Sequence, residues 1–241
     1  MIAAEALPWA TNSIQWKHRP LDRAAAVSTA SYVLARLRGD ILSTYFKPGT
    51  KLHLKVLTSR YNTSVAPVRE ALAVLSGAGL VLSESQRGFR VARASRADFI
   101  DVANLRKQLE TSALRQSILR GGEHWIAEIR RVHGIFSALS PKAGNDDPIS
   151  DRWEVYHREF HFALISECGS PILLNFWSQL QDRFDLYRRL TLPSGSYMAG
   201  TAIDHEEIME AVIGRDVERA ARLVGEHIQN ITDVVLEQYI E

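Results

Sequence analysis

Four of the eight histidines in the sequence have a spacing that could place their rings around one metal ion. His157 and His161 lie four residues apart and therefore share one face of a predicted helix. His205 lies nine residues before Gly214 and His227 thirteen residues after it. If the chain folds back at this glycine, helical arms of about 14 and 20 Å bring both rings to similar levels. Apolar residues share these faces, which indicates that the four rings point into a core.

Converging imidazole rings predict an all-nitrogen metal site, with zinc or nickel as the preferred ion. A single histidine on an apolar face is more typical of an ordinary core residue, so that alternative stays open for each histidine alone. Four buried imidazoles without partners would cost several kcal/mol, and this cost favours the metal. The remaining histidines show no such pattern: His18, His53, His124 and His133.

Arg106 is the second candidate functional residue, because it occupies an inward position of the predicted helix 97–120. The apolar stripe on which it falls consists of Phe99, Val102, Leu109 and Ala113. An arginine stays charged, so a buried one needs a counter-charge. One interpretation is a structural ion pair with Glu110 or Asp101. The other is a fork that accepts the carboxylate of a small organic acid whose other oxygen binds the metal.

A helix-turn-helix is predicted by the segment KVLTSRYNTSVAPVREALAVLSGAGLV, with helices near 55–61 and 65–77. A helix from Ala25 precedes it and a hairpin around residues 86–88 follows, which is the order of a winged helix-turn-helix. In this motif the N-terminal part of the second helix contacts bases in the major groove. The candidate DNA-binding residues are Lys55, Ser64, Val65, Ala66, Arg69, Arg87 and Gly88. Arg69 can make a bidentate contact to guanine. For any single basic residue, a solvent-exposed helix face is the alternative.

Charge is distributed unevenly along the chain. Residues 1–96 contain 14 Lys and Arg against 5 Asp and Glu, whereas residues 97–241 contain 15 against 23. The net charge of +1 therefore conceals a basic part of +9 and an acidic part of −8. Only the basic part is suited to a polyanion such as DNA.

Periodicity and turn signals divide the chain into three parts. Residues 1–24 are expected to form a flexible arm, 25–95 the winged helix-turn-helix, and 97–238 an all-α bundle. The expected fold class is therefore mainly α, with a small β-hairpin in the N-terminal domain. The bundle helices are expected at 97–120, 123–139, 151–167, 171–190, 201–213 and 216–238.

Composition excludes several other classes. Cys168 is the single cysteine, so an intrachain disulfide and a four-cysteine metal site are excluded. No run approaches about 18 uninterrupted apolar residues, so no membrane span is expected. Residues 1–20 lack the apolar core of a secretory signal, and we expect a cytoplasmic protein.

The N-terminal part resembles the GntR family of bacterial transcription regulators. The resemblance covers about residues 25–93 and depends on PVREAL at 67–72, the following leucine-glycine stretch, and Pro48-Gly49 upstream. In the family a serine-arginine pair commonly contacts DNA, and this chain has Ser64-Val65 there. Lys55, Ser64 and Arg69 match the family, so the resemblance implies DNA binding with an altered operator preference.

The C-terminal part, about 97–235, is similar to the FCD ligand-binding domain of FadR-type GntR regulators. Metal-binding members have an aspartate and a histidine four apart, followed by two later histidines about 22 apart. His161, His205 and His227 match these positions, while His157 stands where the aspartate usually is. Histidine is also a competent ligand, so the resemblance still implies a metal. It further implies a pocket arginine, matched by Arg106.

Together the two resemblances imply a transcription regulator that represses by binding a palindromic operator as a homodimer. A small carboxylate effector at Arg106 and the metal would control its DNA binding. A histidine-bound metal can also activate water, but no inward Glu or Asp is clearly placed as a general base, so we expect no enzyme. A constitutive repressor with a purely structural metal is the other alternative, which an unfolded metal-free domain would favour.

Overall fold

The computed structural model describes residues 26–84, 88–140, 150–191 and 198–238. The predicted N-terminal arm, residues 1–24, and the candidate DNA-binding residue Arg87 lie outside the described residues.

The described chain is mainly α-helical with one small antiparallel sheet, so the predicted fold class is confirmed. The elements in chain order are α1 (Thr29–Leu42), β1 (Lys51–Leu52), α2 (Leu54–Arg60), α3 (Val65–Gly77), β2 (Val81–Glu84), β3 (Gly88–Val91), α4 (Arg96–Arg120), α5 (Glu123–Leu139), α6 (Asp151–Ile165), α7 (Pro171–Thr191), α8 (Met198–Ile213) and α9 (Val217–Gln238). Among the described residues, no helix is both long and apolar enough to cross a membrane.

A local polar signal sets the start of α1 at Thr29, later than the predicted start at Ala25. The Ser28 side chain accepts a hydrogen bond from the backbone N–H of Ser31 (3.1 Å), and the Ser31 hydroxyl accepts from the backbone N–H of Ser28 (2.9 Å). This reciprocal pair is a capping box, which satisfies donors that the first turn leaves unpaired.

The sheet contains one strand more than the predicted hairpin. Its order is β1-β3-β2, and β1 pairs antiparallel with β3 through Lys51 opposite Arg90 and Leu52 opposite Phe89. A strand of two residues is too short to produce an alternating pattern, so sequence periodicity could not indicate it.

The chain divides into two compact units. Among the described residues, the first unit contains those up to Phe99 and Gln181–Leu190, and the second contains those between Ile100 and Leu180 and those from Thr191 onward. The helix α7 therefore contributes its first half to the second unit and its second half to the first.

The first unit packs α1, α2 and α3 and the sheet around an apolar core. Val33, Leu37, Leu57, Leu72 and Val91 are fully buried there. The second half of α7 adds Leu186 to this core. It also supplies Asp182, which accepts a hydrogen bond from Arg38 Nε of α1 at 2.6 Å, with both side chains buried.

In the second unit, α8 and α9 are joined by the tight turn that the sequence predicted near Gly214. The residue in the left-handed region is Arg215 (φ 55°), directly after the glycine. Its guanidinium donates to the carbonyl oxygens of Ile118 (2.5 Å) and Gly121 (2.7 Å), at the end of α4. The turn thereby places α8 and α9 side by side and satisfies two carbonyls that the last turn of α4 leaves open.

Candidate metal centre and DNA-binding surface

Four histidine side chains converge inside the second unit. The helix α6 supplies His157 and His161 one turn apart, while α8 supplies His205 and α9 supplies His227. All four are buried, and one ring nitrogen of each lies within 4.8 Å of the corresponding atom of the others. The turn at 214–216 is what brings His205 and His227 together, as the arm-length argument expected.

The spacing of the ring nitrogens suits a transition metal. Nε2 of His161 and Nε2 of His205 are 3.3 Å apart. Two nitrogens bound to one tetrahedral ion at about 2.0–2.1 Å are about 3.3 Å apart, so these atoms already have the separation of two ligands. This pair could therefore bind one ion without a large rearrangement.

His227 provides a second indication of the same kind. Its Nδ1 lies 3.4 Å from Oδ2 of Asp204, whereas its Nε2 is buried and makes no hydrogen bond within the described part of the chain. Burial lowers the pKa of His227 to about 4, so the ring is neutral near pH 7. A neutral imidazole with an unpaired, buried nitrogen is a competent metal ligand. The donor set therefore fits a transition metal.

Aromatic rings enclose the histidine cluster. The Trp153 ring stacks on His157 with a centroid separation of 4.5 Å, and the Phe136 ring packs edge-on against His205 at 4.9 Å. These walls are apolar and exclude water, which strengthens electrostatic interactions inside the site.

Arg106 is buried beside the cluster and is paired with Glu110. Its Nε donates to Oε2 of Glu110 at 3.0 Å, so the structure contains the ion pair that the sequence offered as one of two interpretations. Asp101, the other suggested counter-charge, is exposed. Burial alone would raise the pKa of Glu110, but Arg106 and His161 hold that pKa well below its usual range.

Sequence reasoning named Glu110 only as a possible counter-charge for Arg106 and missed its contact with the histidine cluster. Besides Arg106, it contacts Nδ1 of His161 at 2.7 Å and accepts a hydrogen bond from Nε1 of Trp177 at 2.8 Å. Its position one turn after an inward arginine was the available signal, since residues four apart share a helix face.

The candidate DNA-binding residues lie at the surface of the first unit. Lys55, Ser64, Val65, Ala66 and Arg69 are exposed on α2 and at the start of α3. Ser64 occupies the position before α3, but its side chain makes no capping hydrogen bond, so the hydroxyl is not committed to the helix. Gly88 is exposed at the start of β3.

The orientation of α2 is fixed by one carboxylate of α1. Asp40 accepts hydrogen bonds from Arg60 (2.6 and 3.0 Å) and from the Tyr61 hydroxyl (2.8 Å). The Arg60 guanidinium also lies 3.7 Å above the centre of the Tyr45 ring. These contacts hold the end of α2, and the turn into α3, against the body of the unit.

Two family models match the sequence. The model described as "Bacterial regulatory proteins, gntR family" matches residues 29–91, and the FCD domain model matches residues 101–230. The first match covers α1 to β3 and the second covers the elements that carry Arg106 and the four histidines.

Similar proteins are bacterial transcription regulators. The uncharacterized HTH-type transcriptional regulator BphR of Paraburkholderia xenovorans is 35% identical over 217 residues, which are 90% of this chain and 89% of that protein. The HTH-type transcriptional repressor GlaR of Escherichia coli is 33% identical over 196 residues, 80% and 89% of the two chains. Among solved structures, E. coli McbR/YncC has a TM-score of 0.76 at 20% identity, covering 89% of this chain and 100% of that one.

Proposed function

The chain belongs to the GntR family of bacterial transcription regulators, with an FCD domain after its DNA-binding domain, and from this we propose that it represses transcription until a small organic acid binds a metal-containing pocket. Members of this family are regulators and not enzymes, so the hydrolase alternative is excluded. Relatives that are named repressors support repression as the direction of control.

The main support for the metal site is the set of four buried histidine nitrogens within 4.8 Å of one another. His157, His161, His205 and His227 would hold the ion. Neutral nitrogen ligands favour zinc or nickel over magnesium or calcium, which prefer oxygen. A bound ion would supply a positive charge to the effector pocket.

The effector is a small carboxylate, and Arg106 is its second contact. A guanidinium has five N–H donors, so a pair with Glu110 through Nε is compatible with a second carboxylate on the same side chain. The ion would give the pocket a preference for anions, and N–H donors of Arg106 would orient the carboxylate of the effector.

The operator contacts are made by α3 and its surroundings. The side chains and backbone that would contact one half-site of duplex DNA belong to Lys55, Ser64, Val65, Ala66, Arg69, Arg87 and Gly88. One winged helix spans half an operator, so two copies related by two-fold symmetry bind a palindrome. Because Val65 replaces the usual arginine, one base contact of the family changes.

Control of DNA binding is a population shift. The effector favours one of two arrangements of the homodimer and so changes its affinity for the palindrome. By linkage, operator DNA must weaken effector binding by the same factor.

The test begins with operator selection from a random duplex library, using untagged protein loaded with zinc or nickel. We expect a palindromic sequence, with affinity that falls when a panel of di- and tricarboxylates is added. A selected sequence without two-fold symmetry would contradict the homodimer. Affinity that no carboxylate changes would contradict the effector.

A constitutive repressor with a structural metal is the second candidate. Four nitrogen ligands complete the tetrahedral coordination of a structural zinc, and this closed set is the observation that favours it. Removing the metal distinguishes the two proposals. If the ion is structural, the second unit unfolds when the metal is removed. If the protein is a sensor, this unit stays folded and loses only effector binding.

A further inference from the structure

Glu110 is a fully buried carboxylate whose two oxygens have different partners. Oε1 lies 2.7 Å from Nδ1 of His161. Oε2 accepts from Nε of Arg106 at 3.0 Å and from Nε1 of Trp177 at 2.8 Å. The carboxylate thus connects three side chains from α4, α6 and α7.

This arrangement determines which nitrogen of His161 carries the proton. An ionised carboxylate only accepts hydrogen bonds, so Nδ1 must be the donor. In the neutral ring Nε2 then has a lone pair, and Nε2 is the atom that lies 3.3 Å from Nε2 of His205 inside the cluster.

Arg106 offsets the free-energy cost of burying the Glu110 carboxylate. A lone buried charge is costly, but the paired guanidinium and carboxylate are neutral together. Both residues are on α4 and the ion pair is almost fully buried, so the pair adds no net charge beside the histidines.

We propose that Glu110, with Arg106 as its counter-charge, is the positioning residue that presents Nε2 of His161 to the metal. The inference deepens the proposed function and rests on its metal site. It gives Arg106 a role in metal binding that does not depend on any effector.

The replacement Glu110→Gln tests this role because an amide accepts hydrogen bonds only at its oxygen. It cannot accept at both positions, as the two carboxylate oxygens do. The amide oxygen is drawn to the side with two donors, Arg106 and Trp177. The amide N–H then faces Nδ1 of His161 and forces it to accept, which moves the ring proton to Nε2. A protonated Nε2 cannot bind a metal.

The experiment compares wild type, Glu110→Gln and Glu218→Gln in the full chain. Glu218 pairs with Arg115 of α4 at the exposed surface, so its replacement breaks an Arg–Glu pair without touching the histidines. Nitrogen-15 NMR of the metal-free histidines reports the tautomer of His161, assigned with His161→Gln. Competition with a chelator reports zinc affinity.

We expect the Nδ1–H tautomer in wild type and Glu218→Gln, and the Nε2–H tautomer in Glu110→Gln. Zinc affinity should fall about 10- to 100-fold in Glu110→Gln, as is typical for partners of ligating histidines, and less than about twofold in the control. Arg106→Lys retains the charge and a donor, so it should keep the wild-type tautomer.

Two results would overturn the inference alone: an Nε2–H tautomer in wild type that still binds zinc, or unchanged zinc affinity in Glu110→Gln. The tautomer of His161 in the wild-type protein tests the inference even if Glu110→Gln does not fold. A wild-type protein that binds neither zinc nor nickel would overturn the proposed metal site, and the inference with it.

Discussion

Arg69 is an exposed side chain near the start of α3, so its replacement tests DNA recognition with little effect on the core. We expect Arg69→Ala to weaken operator binding by about 1–3 kcal/mol, because one bidentate or phosphate contact is lost. Fluorescence anisotropy with the selected operator measures the effect. Arg130→Ala removes another exposed arginine, from α5, and should leave the affinity unchanged. Equal effects in both variants would show a general charge effect instead of a contact.

Replacing the buried histidine His227 tests the candidate metal centre most directly. We expect His227→Ala, combined with His161→Ala, to abolish binding of about one ion per chain, because two of four ligands are removed. Metal analysis of untagged protein measures the stoichiometry. His124→Ala, which removes an exposed histidine, is the control. A double variant that retains its ion would reduce the cluster to ordinary core residues.

At the scale of single residues, the sequence predicted that four histidines point into the core, because helical periodicity identifies inward residues. His157, His161, His205 and His227 do converge, and their nitrogens lie within 4.8 Å of one another. Periodicity gives no information on contacts between helices distant in sequence. For that reason the bond from Trp177 to Glu110, 67 residues apart, could not be predicted.

The helices α1 and α7 are joined by the buried pair of Arg38 and Asp182. We expect Asp182→Leu to lower the free energy of unfolding by about 3–5 kcal/mol, because it removes the carboxylate from a buried guanidinium. The double variant Arg38→Met, Asp182→Leu should recover most of this loss, since an apolar pair avoids the desolvation cost. Urea unfolding of both variants measures the coupling. Equal losses in the single and double variants would contradict this account.

The turn between α8 and α9 contains a strained residue with a second role. Arg215 has a positive φ of 55° and donates to two carbonyls at the end of α4. Arg215→Ala and Arg215→Gly both lose these hydrogen bonds, but only glycine adopts the left-handed region without strain. We therefore expect the glycine variant to be more stable by about 1 kcal/mol in thermal unfolding. An alanine variant of equal stability would show that the backbone is not strained.

The sequence predicted the long helices but not the shortest strand. The periodic pattern and the glycine and proline breaks identified each helix of the second unit, with differences only at end residues. The two-residue strand β1 was missed because it has no period. The packing of the second half of α7 in the first unit was not indicated either, since one apolar stripe is compatible with many partners.

The uneven charge of the molecule predicts a strong salt dependence of operator binding. If each of two copies neutralises three phosphates, the affinity should fall about 10³-fold between 50 and 200 mM salt. Anisotropy titrations at several salt concentrations measure the slope. A shallow slope would contradict contacts by Lys55, Arg69 and the basic surface around them.

For the whole molecule, periodicity and turn signals were sufficient to predict the fold class, and the uneven charge agreed with a DNA-binding N-terminal part. The helix order from Ala25 to the hairpin predicted the winged helix-turn-helix, and the basic excess through Arg96 indicated only that this part is suited to a polyanion. Neither signal indicates which distant segments complete a core, because that depends on three-dimensional packing and not on local pattern.

The shared helix α7 has a consequence for how the protein is made. Residues 100–180 separate the two stretches that build the first unit. A ribosome adding about 5–20 residues per second needs several seconds to synthesise them. Until then the nascent DNA-binding unit lacks Leu186 and Asp182, so a prematurely terminated chain would expose part of its core to proteases and chaperones.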